Sequence, residues 1–126
     1  LPNINAALGC AQLEQLPKLL KSKRTLFKKY EDKISLLNGV SLFKEPKRCK
    51  SNYWLQTLLL DIENINERDE ILSLTNESGL MTRPAWILMH RLNQFSSNPR
   101  MDLSCAESIT DRLINIPSSS NLIGKN

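Results

Sequence analysis

Apolar residues recur at helical spacing from the start of the chain. Ile4, Ala7, Leu8 and Ala11 fall three and four apart and predict a short helix over 5–16. Asn3 or Asn5 is placed to cap it. Ala6, Gly9 and Cys10 leave it with almost no polar face, so it needs neighbours on more than one side. Pro17 breaks the run and suits the first turn of a second helix. That helix, over 18–37, sets Leu19, Leu20, Leu26, Phe27, Tyr30, Ile34 and Leu37 against a face of lysines, and Asn38-Gly39 stops it.

The pattern then shortens. Residues 40–43 are a strand candidate, 44–51 are a polar loop containing Pro46, and 53–61 are the strongest strand, rich in aromatic and aliphatic side chains. Asn66 and Asp69 mark the start of a helix that carries Ile71, Leu72 and Leu74 and closes at Gly79. Residues 80–83 form a third strand candidate, ended by Pro84. Residues 86–95, with Leu88, Leu92 and Phe95, suit a short helix or turn, and 96–100 a loop. Ser104 and Glu107 have the spacing of a capping box for a helix to about Leu113. Residues 114–117 extend, and 118–126 carry little pattern. This order predicts an α+β fold: a small, mostly antiparallel sheet covered by helices on one face, as a single domain over 1–126.

Composition agrees with a folded chain, since 40% of residues are hydrophobic and 24% charged. The 126 residues fit one domain with a core of its own. No apolar run reaches the length of a membrane span, and no secretory signal is present. The chain opens on Leu1-Pro2 in core-like sequence, which is expected of a piece excised from a longer protein. Cys10, Cys49 and Cys105 are odd in number and lack CxxC spacing, which argues against a disulfide framework or a zinc site. Buried or half-buried reduced thiols in a cytoplasmic protein are expected instead. The net charge is +4, concentrated in Lys18, Lys21, Lys23, Arg24, Lys28, Lys29 and Lys33. No aromatic residues interleave with them as a stacking platform for nucleic acid requires, so this is a solvated helix face. A mildly basic surface suits small anionic ligands.

Catalytic motifs are absent: no GxGxxG, P-loop, GxSxG or HExxH, and a single histidine, His90. One stretch is crowded with polar and aromatic groups, Thr82-Arg83-Pro84-Ala85-Trp86 followed by Met89-His90-Arg91. Pro84 fixes the backbone after a strand and presents Arg83, Trp86 and His90 at a strand end. Arg83 can hold a phosphate or carboxylate, and His90 can bond a sugar hydroxyl or a cofactor oxygen. The plainer alternative makes Trp86 a core anchor, Arg83 an ion-pair member and His90 a satisfied helix residue.

Four separated segments, with single residues of the long helix between the first two, carry a resemblance. Residues 1–16, Leu-Pro-Asn-Ile-Asn-Ala-Ala-Leu-Gly-Cys-Ala-Gln-Leu-Glu-Gln-Leu, are similar to a signature segment of the DegT/DnrJ/StrS aminotransferases, and most of all of their LegC-like branch. Lys23-Arg24 and Tyr30 match the family's long helix, and Ser51-Asn52-Tyr53-Trp54-Leu55 resembles its Ser-Asn-Tyr-Trp-Leu. Residues 79–86 resemble Gly-Ile-x-Thr-Arg-Pro-x-Trp, and 114–120, Ile-Asn-Ile-Pro-Ser-Ser-Ser, the Leu-Pro-Cys-Ser stretch near the family's C-terminus. The resemblance implies the small C-terminal domain of a fold-type I aminotransferase, dependent on pyridoxal phosphate (PLP) and working as a homodimer in the cytoplasm. Such an enzyme passes an amino group from glutamate to a nucleotide-linked keto-sugar such as the precursor of perosamine, on the way to surface polysaccharide.

In this family the cofactor lysine, the aspartate facing the pyridine nitrogen and the phosphate-binding loop precede the segment matched here. No lysine of this chain is given the role, and the chain alone is expected to bind no PLP and to be inactive. Residues 1–37 are expected to bridge to the large domain. Arg83, Trp86 and His90 carry over as lining near the sugar or cofactor. His90 is the looser match, because Leu88-Met89 precede it where the family has Pro-Leu. A non-catalytic relative that keeps the fold, as a regulator or sensor, is the alternative; nucleic-acid and membrane partners are not expected.

Overall fold

A computed structural model describes residues 2–123. One helix, α1 (Asn3–Ile34), runs for 32 residues straight through Pro17, where the sequence suggests a break between two helices. Proline removes one intrahelical hydrogen bond and crowds the preceding turn, at a cost of about 3 kcal/mol. Strong helix formers on both sides, Leu13 to Leu16 and Lys18 to Lys21, carry the helix across. Its first residue follows Pro2, and neither Asn3 nor Asn5 caps it through a side chain. The two halves differ in cover. Leu26 and Phe27 are buried, whereas Ile4, Leu8 and Leu13 are 78%, 63% and 65% exposed, so this chain does not supply the neighbours their apolar character asks for.

After a turn in which Gly39 adopts φ +80°, the chain forms β1 (Val40–Leu42). A Cβ at Gly39 would stand 2.8 Å from Asn64 Oδ1, so the close approach as well as the dihedral requires glycine. β2 (Gln56–Leu60) follows the polar loop, and a 3-10 stretch (Ile62–Glu67) leads into α2 (Arg68–Glu77). Gly79 at φ +79° ends α2 with Leu80 N–H bonded to Thr75 O at 2.8 Å, as in a Schellman closure. β3 (Arg83–Pro84) is followed by 3-10 turns at Met89–Arg91 and Asn93–Phe95, then α3 (Ser104–Arg112), β4 (Leu113–Ile116) and a last 3-10 turn at Ser120–Ile123. The expected tail 118–126 is thus ordered in part; its last three residues lie outside the described ones.

The four strands form one sheet in the order β1-β2-β4-β3, and every pairing is antiparallel, as the α+β expectation required. Register places Leu42, Leu58, Ile114 and Pro84 in one row across the sheet, with Gln56 opposite Ile116 and Leu60 opposite Val40 on the same face. α1 covers that face: Phe27, Leu42 and Tyr53 form a cluster onto which Tyr30, Ile34, Leu58 and Ile116 pack. Ser41, Thr57, Leu59, Asn115 and Arg83 share the opposite face, and none of them is buried.

Three local expectations are corrected. The strong strand starts at Gln56 and not at 53, because Tyr53 sits at φ +48°, which no strand accommodates. The capping box at Ser104 does not form. Asp102 accepts from Ser104 N and Oγ at 3.2 and 2.8 Å, while Glu107 is engaged by His90. Cys10, Cys49 and Cys105 are exposed, not buried, since they fall on the uncovered half of α1, in the polar loop and in the first turn of α3.

Ile114 is fully buried at the middle of the sheet. Ile114→Ala is expected to destabilise the fold by about 2–5 kcal/mol, read from urea unfolding followed by circular dichroism. A loss below about 1 kcal/mol would mean that the core collapses freely around the site.

Candidate functional site

Arg83 and Trp86 belong to the same cavity, of ≈ 260 Å³, on the β3–β4 side of the sheet; Trp54, Leu55, Pro84 and Asn115 complete its wall. β4 supplies Asn115, whose Oδ1 accepts from Thr57 Oγ1 at 3.0 Å and whose amide reaches Pro84 O at 3.4 Å. This lattice fixes the edge strand that carries Arg83. Arg83 is exposed and joins no ion pair among the described residues. It also borders a second recess of ≈ 400 Å³ with the hydroxyl-bearing Thr82, Ser118 and Ser119. Trp86 is 85% exposed and anchors no core.

His90 lies elsewhere. It lines a separate cavity of ≈ 490 Å³ between the 3-10 turns and α3, with Leu88, Phe95, Arg100 and Leu103. Its Nε2 is 2.7 Å from Glu107 Oε1, and its side chain is only 14% exposed. One residue on, Arg91 grips Asp111 through both guanidinium nitrogens, so this turn is tied twice to α3.

The segment that delivers Trp54 is held from several directions. Arg24 donates to both oxygens of Glu45 at 3.0 Å and to Ser51 O at 2.6 Å, and Ser51 N donates to Glu45 at 2.6 Å. The Arg24 guanidinium lies 5.3 Å above the Tyr53 ring, which stacks on Phe27 at 4.2 Å. Lys23 Nζ donates to Trp54 O at 3.0 Å and to Ser118 O, and partial burial with no carboxylate beside it lowers its pKa. Tyr30 Oη donates to Pro117 O at 2.9 Å. α1 thereby ties down both the turn before β2 and the chain leaving β4.

Sequence motifs pointed to Arg83, Trp86 and His90; they did not point to Trp54 or Asn115 as their neighbours. The signal for Trp54 was present, because a tryptophan next to Ser-Asn in a polar loop is a turn residue and only secondarily a strand residue. Asn115 was visible only through strand register, which pairs it with Arg83.

The whole chain, residues 1–126, matches the DegT/DnrJ/EryC1/StrS aminotransferase family. The chain belongs to that family. EpsN of Bacillus subtilis (strain 168), provisionally named a pyridoxal phosphate-dependent aminotransferase, is 34% identical over 128 residues, which cover 97% of this chain and 32% of EpsN. The GDP-perosamine synthase of Escherichia coli O157:H7 is 32% identical over 120 residues, 95% of this chain and 32% of that protein. Among solved structures, Helicobacter pylori PseC, an aminotransferase involved in the biosynthesis of pseudoaminic acid, superposes with a TM-score of 0.86 at 20% identity, over 97% of this chain and 33% of its own. The chain thus spans about a third of the length of these relatives. Among the described residues no helix is long and apolar enough to cross a membrane, and no cluster of metal-ligating side chains is present.

Arg24, and after it Ser51 N–H, hold the Glu45 carboxyl below its ordinary range, and Arg91 does the same for Asp111. A carboxylate depressed in the folded state adds stability that is complete above its unfolded pKa of about 4 and is lost as pH falls through the lower folded value. Stability is therefore expected to fall on acidification from about pH 5 to about pH 2, and Glu45→Gln to flatten part of that decline while lowering stability at neutral pH. Parallel pH profiles for wild type and variant, measured by chemical unfolding, would show that the pair adds nothing.

Proposed function

We propose that these residues are the C-terminal small domain of a PLP-dependent aminotransferase that moves an amino group from glutamate to the keto carbon of a nucleotide-linked sugar destined for surface polysaccharide. The match of the entire chain to the aminotransferase family carries this proposal, and the GDP-perosamine synthases among its relatives support the substrate class. PLP supplies the carbonyl and electron sink through which an amino group is stored between the two half-reactions.

What this chain contributes is binding and orientation. Arg83, exposed and unpaired, offers two parallel N–H donors to a phosphate or carboxylate. The flat face of Trp86 beside it excludes water from one side of a ring. His90, braced by Glu107, presents its remaining ring nitrogen to a hydroxyl or cofactor oxygen. The apolar first half of α1 suits a bridge over 1–37 to a large domain and to the partner of a homodimer.

In the full-length protein, Arg83→Ala is expected to lower kcat/KM for the nucleotide sugar by roughly ten- to a hundredfold, the loss of one charge-assisted bond to an anion. His90→Ala is expected to lower activity more than folding. Wild-type turnover and sugar affinity in both variants would remove these residues from the site. Residues 1–126 alone, treated with PLP and borohydride, are expected to give no single stoichiometric adduct by mass spectrometry; one adduct at one lysine would place the cofactor lysine in this segment.

A further inference from the structure

His90 and Arg91 are neighbours on the turn Met89–Arg91, and each meets a carboxylate of α3. His90 Nε2 lies 2.7 Å from Glu107 Oε1, and Arg91 donates to Asp111 Oδ2 at 2.9 Å. Glu107 and Asp111 are four residues apart, so they stand one turn apart on one face of the helix. α3 is itself fixed to the body of the domain: Arg68 Nη1 donates to Thr110 O at 3.2 Å, and Arg112 Nη1 to Leu60 O at 2.6 Å. The Arg91–Asp111 pair ties the turn down by itself. The His90–Glu107 pair does something more, because an imidazole has two nitrogens whose roles its partner decides. A carboxylate accepts and cannot donate, so the hydrogen between Nε2 and Glu107 belongs to the ring. In the neutral ring the remaining nitrogen, Nδ1, then carries a lone pair. The pairing is made within this chain, with the His90 side chain only 14% exposed, and needs no other part of the protein.

We infer that Glu107 is a positioning residue that holds His90 as the neutral Nε2–H tautomer, with Nδ1 as a hydrogen-bond acceptor. The group that His90 meets is then one that brings its own hydrogen, such as a sugar hydroxyl. A phosphate or carboxylate oxygen would set lone pair against lone pair. This narrows the role given to His90 above and rests on it; the tautomer itself does not. A carboxylate behind one ring nitrogen keeps the other free to accept in Ser-His-Asp triads as well. The other charged groups about the ring are Arg91, held by Asp111, and Arg100, on the wall of the same cavity. An anionic oxygen entering there has the Arg100 guanidinium to meet, which leaves the uncharged hydroxyl to His90.

The test uses the full-length, PLP-loaded protein with isotope-labelled histidine, read by nitrogen NMR; the His90 signals are those lost in His90→Gln. At neutral pH the wild type is expected to show Nδ1 as an unprotonated nitrogen and Nε2 as a protonated one. Glu107→Gln, whose amide can donate as well as accept, is expected to leave a mixture of the two tautomers and to lower kcat/KM for the nucleotide sugar about tenfold. Glu107→Asp, which keeps the carboxylate, is expected to restore the single tautomer and part of the activity. Asp111→Asn, which loosens the same turn from the Arg91 side, is expected to leave the tautomer as it is. A proton on Nδ1 in the wild type, or a single tautomer retained in Glu107→Gln protein that circular dichroism shows to be folded, would overturn the inference. Loss of the single tautomer in Asp111→Asn would also overturn it and make Glu107 a brace only. If the tautomer is as expected but His90→Ala keeps wild-type kcat/KM, the hydroxyl contact of His90 is refuted. If the wild-type protein aminates no nucleotide sugar, the aminotransferase proposal fails instead, and the nitrogen signals still decide what Glu107 does.

Discussion

The contact on which the rest depends is the stack of Phe27 on Tyr53, with ring centroids 4.2 Å apart. It joins α1 to the turn that precedes the central strand, and both rings are buried with Leu42 from the edge strand. Three elements distant in sequence meet there, so a single apolar contact sets where α1 lies across the sheet. The hydrogen bonds of Lys23, Arg24 and Tyr30 come from the same two turns of α1 and add direction to what the stack supplies in burial. Gln56 pays part of the cost: it is 1% exposed, donates to Lys23 O, and leaves Oε1 without a partner among the described residues.

The sheet separates two kinds of surface. Its α1 side is closed and, Gln56 apart, largely apolar. Its other side keeps Thr57, Asn115 and Arg83 in one patch, with the Thr57–Asn115 bond holding polar groups in fixed positions without burying them. A binding surface needs that combination, because groups that are fixed before a ligand arrives lose less entropy on meeting it. The open polar face is built on the back of the face that holds the domain together.

The helices and the antiparallel sheet were legible from periodicity, since an apolar stripe such as Leu26, Phe27, Tyr30 and Ile34 has only one geometry that buries it. What escaped were effects local rules do not weigh. Pro17 is a helix breaker on propensity, yet long helix-forming runs on both sides outweigh it. Tyr53 is a strand former by type, yet Ser51 Oγ and Asn52 Oδ1 capture the next backbone N–H groups and turn the chain. Glu107 has capping-box spacing, yet His90, seventeen residues away, takes its carboxylate. Of the three residues singled out for the site, Arg83 and Trp86 are neighbours because they flank one proline; His90 is parted from them by the turns at 89–95, whose path no spacing rule gives.

Pro17 has a consequence for how α1 comes apart. Without an N–H it leaves the Leu13 carbonyl without its usual partner, at the place where buried contacts give way to exposed ones. The helix is continuous in shape but not in cooperativity. Its second half shares the global stability of the sheet, whereas within residues 1–126 its first half has only its own backbone bonds to hold it. α1 is therefore two thermodynamic units on one axis, and amide exchange along it would change at a single residue, not fade gradually from the end.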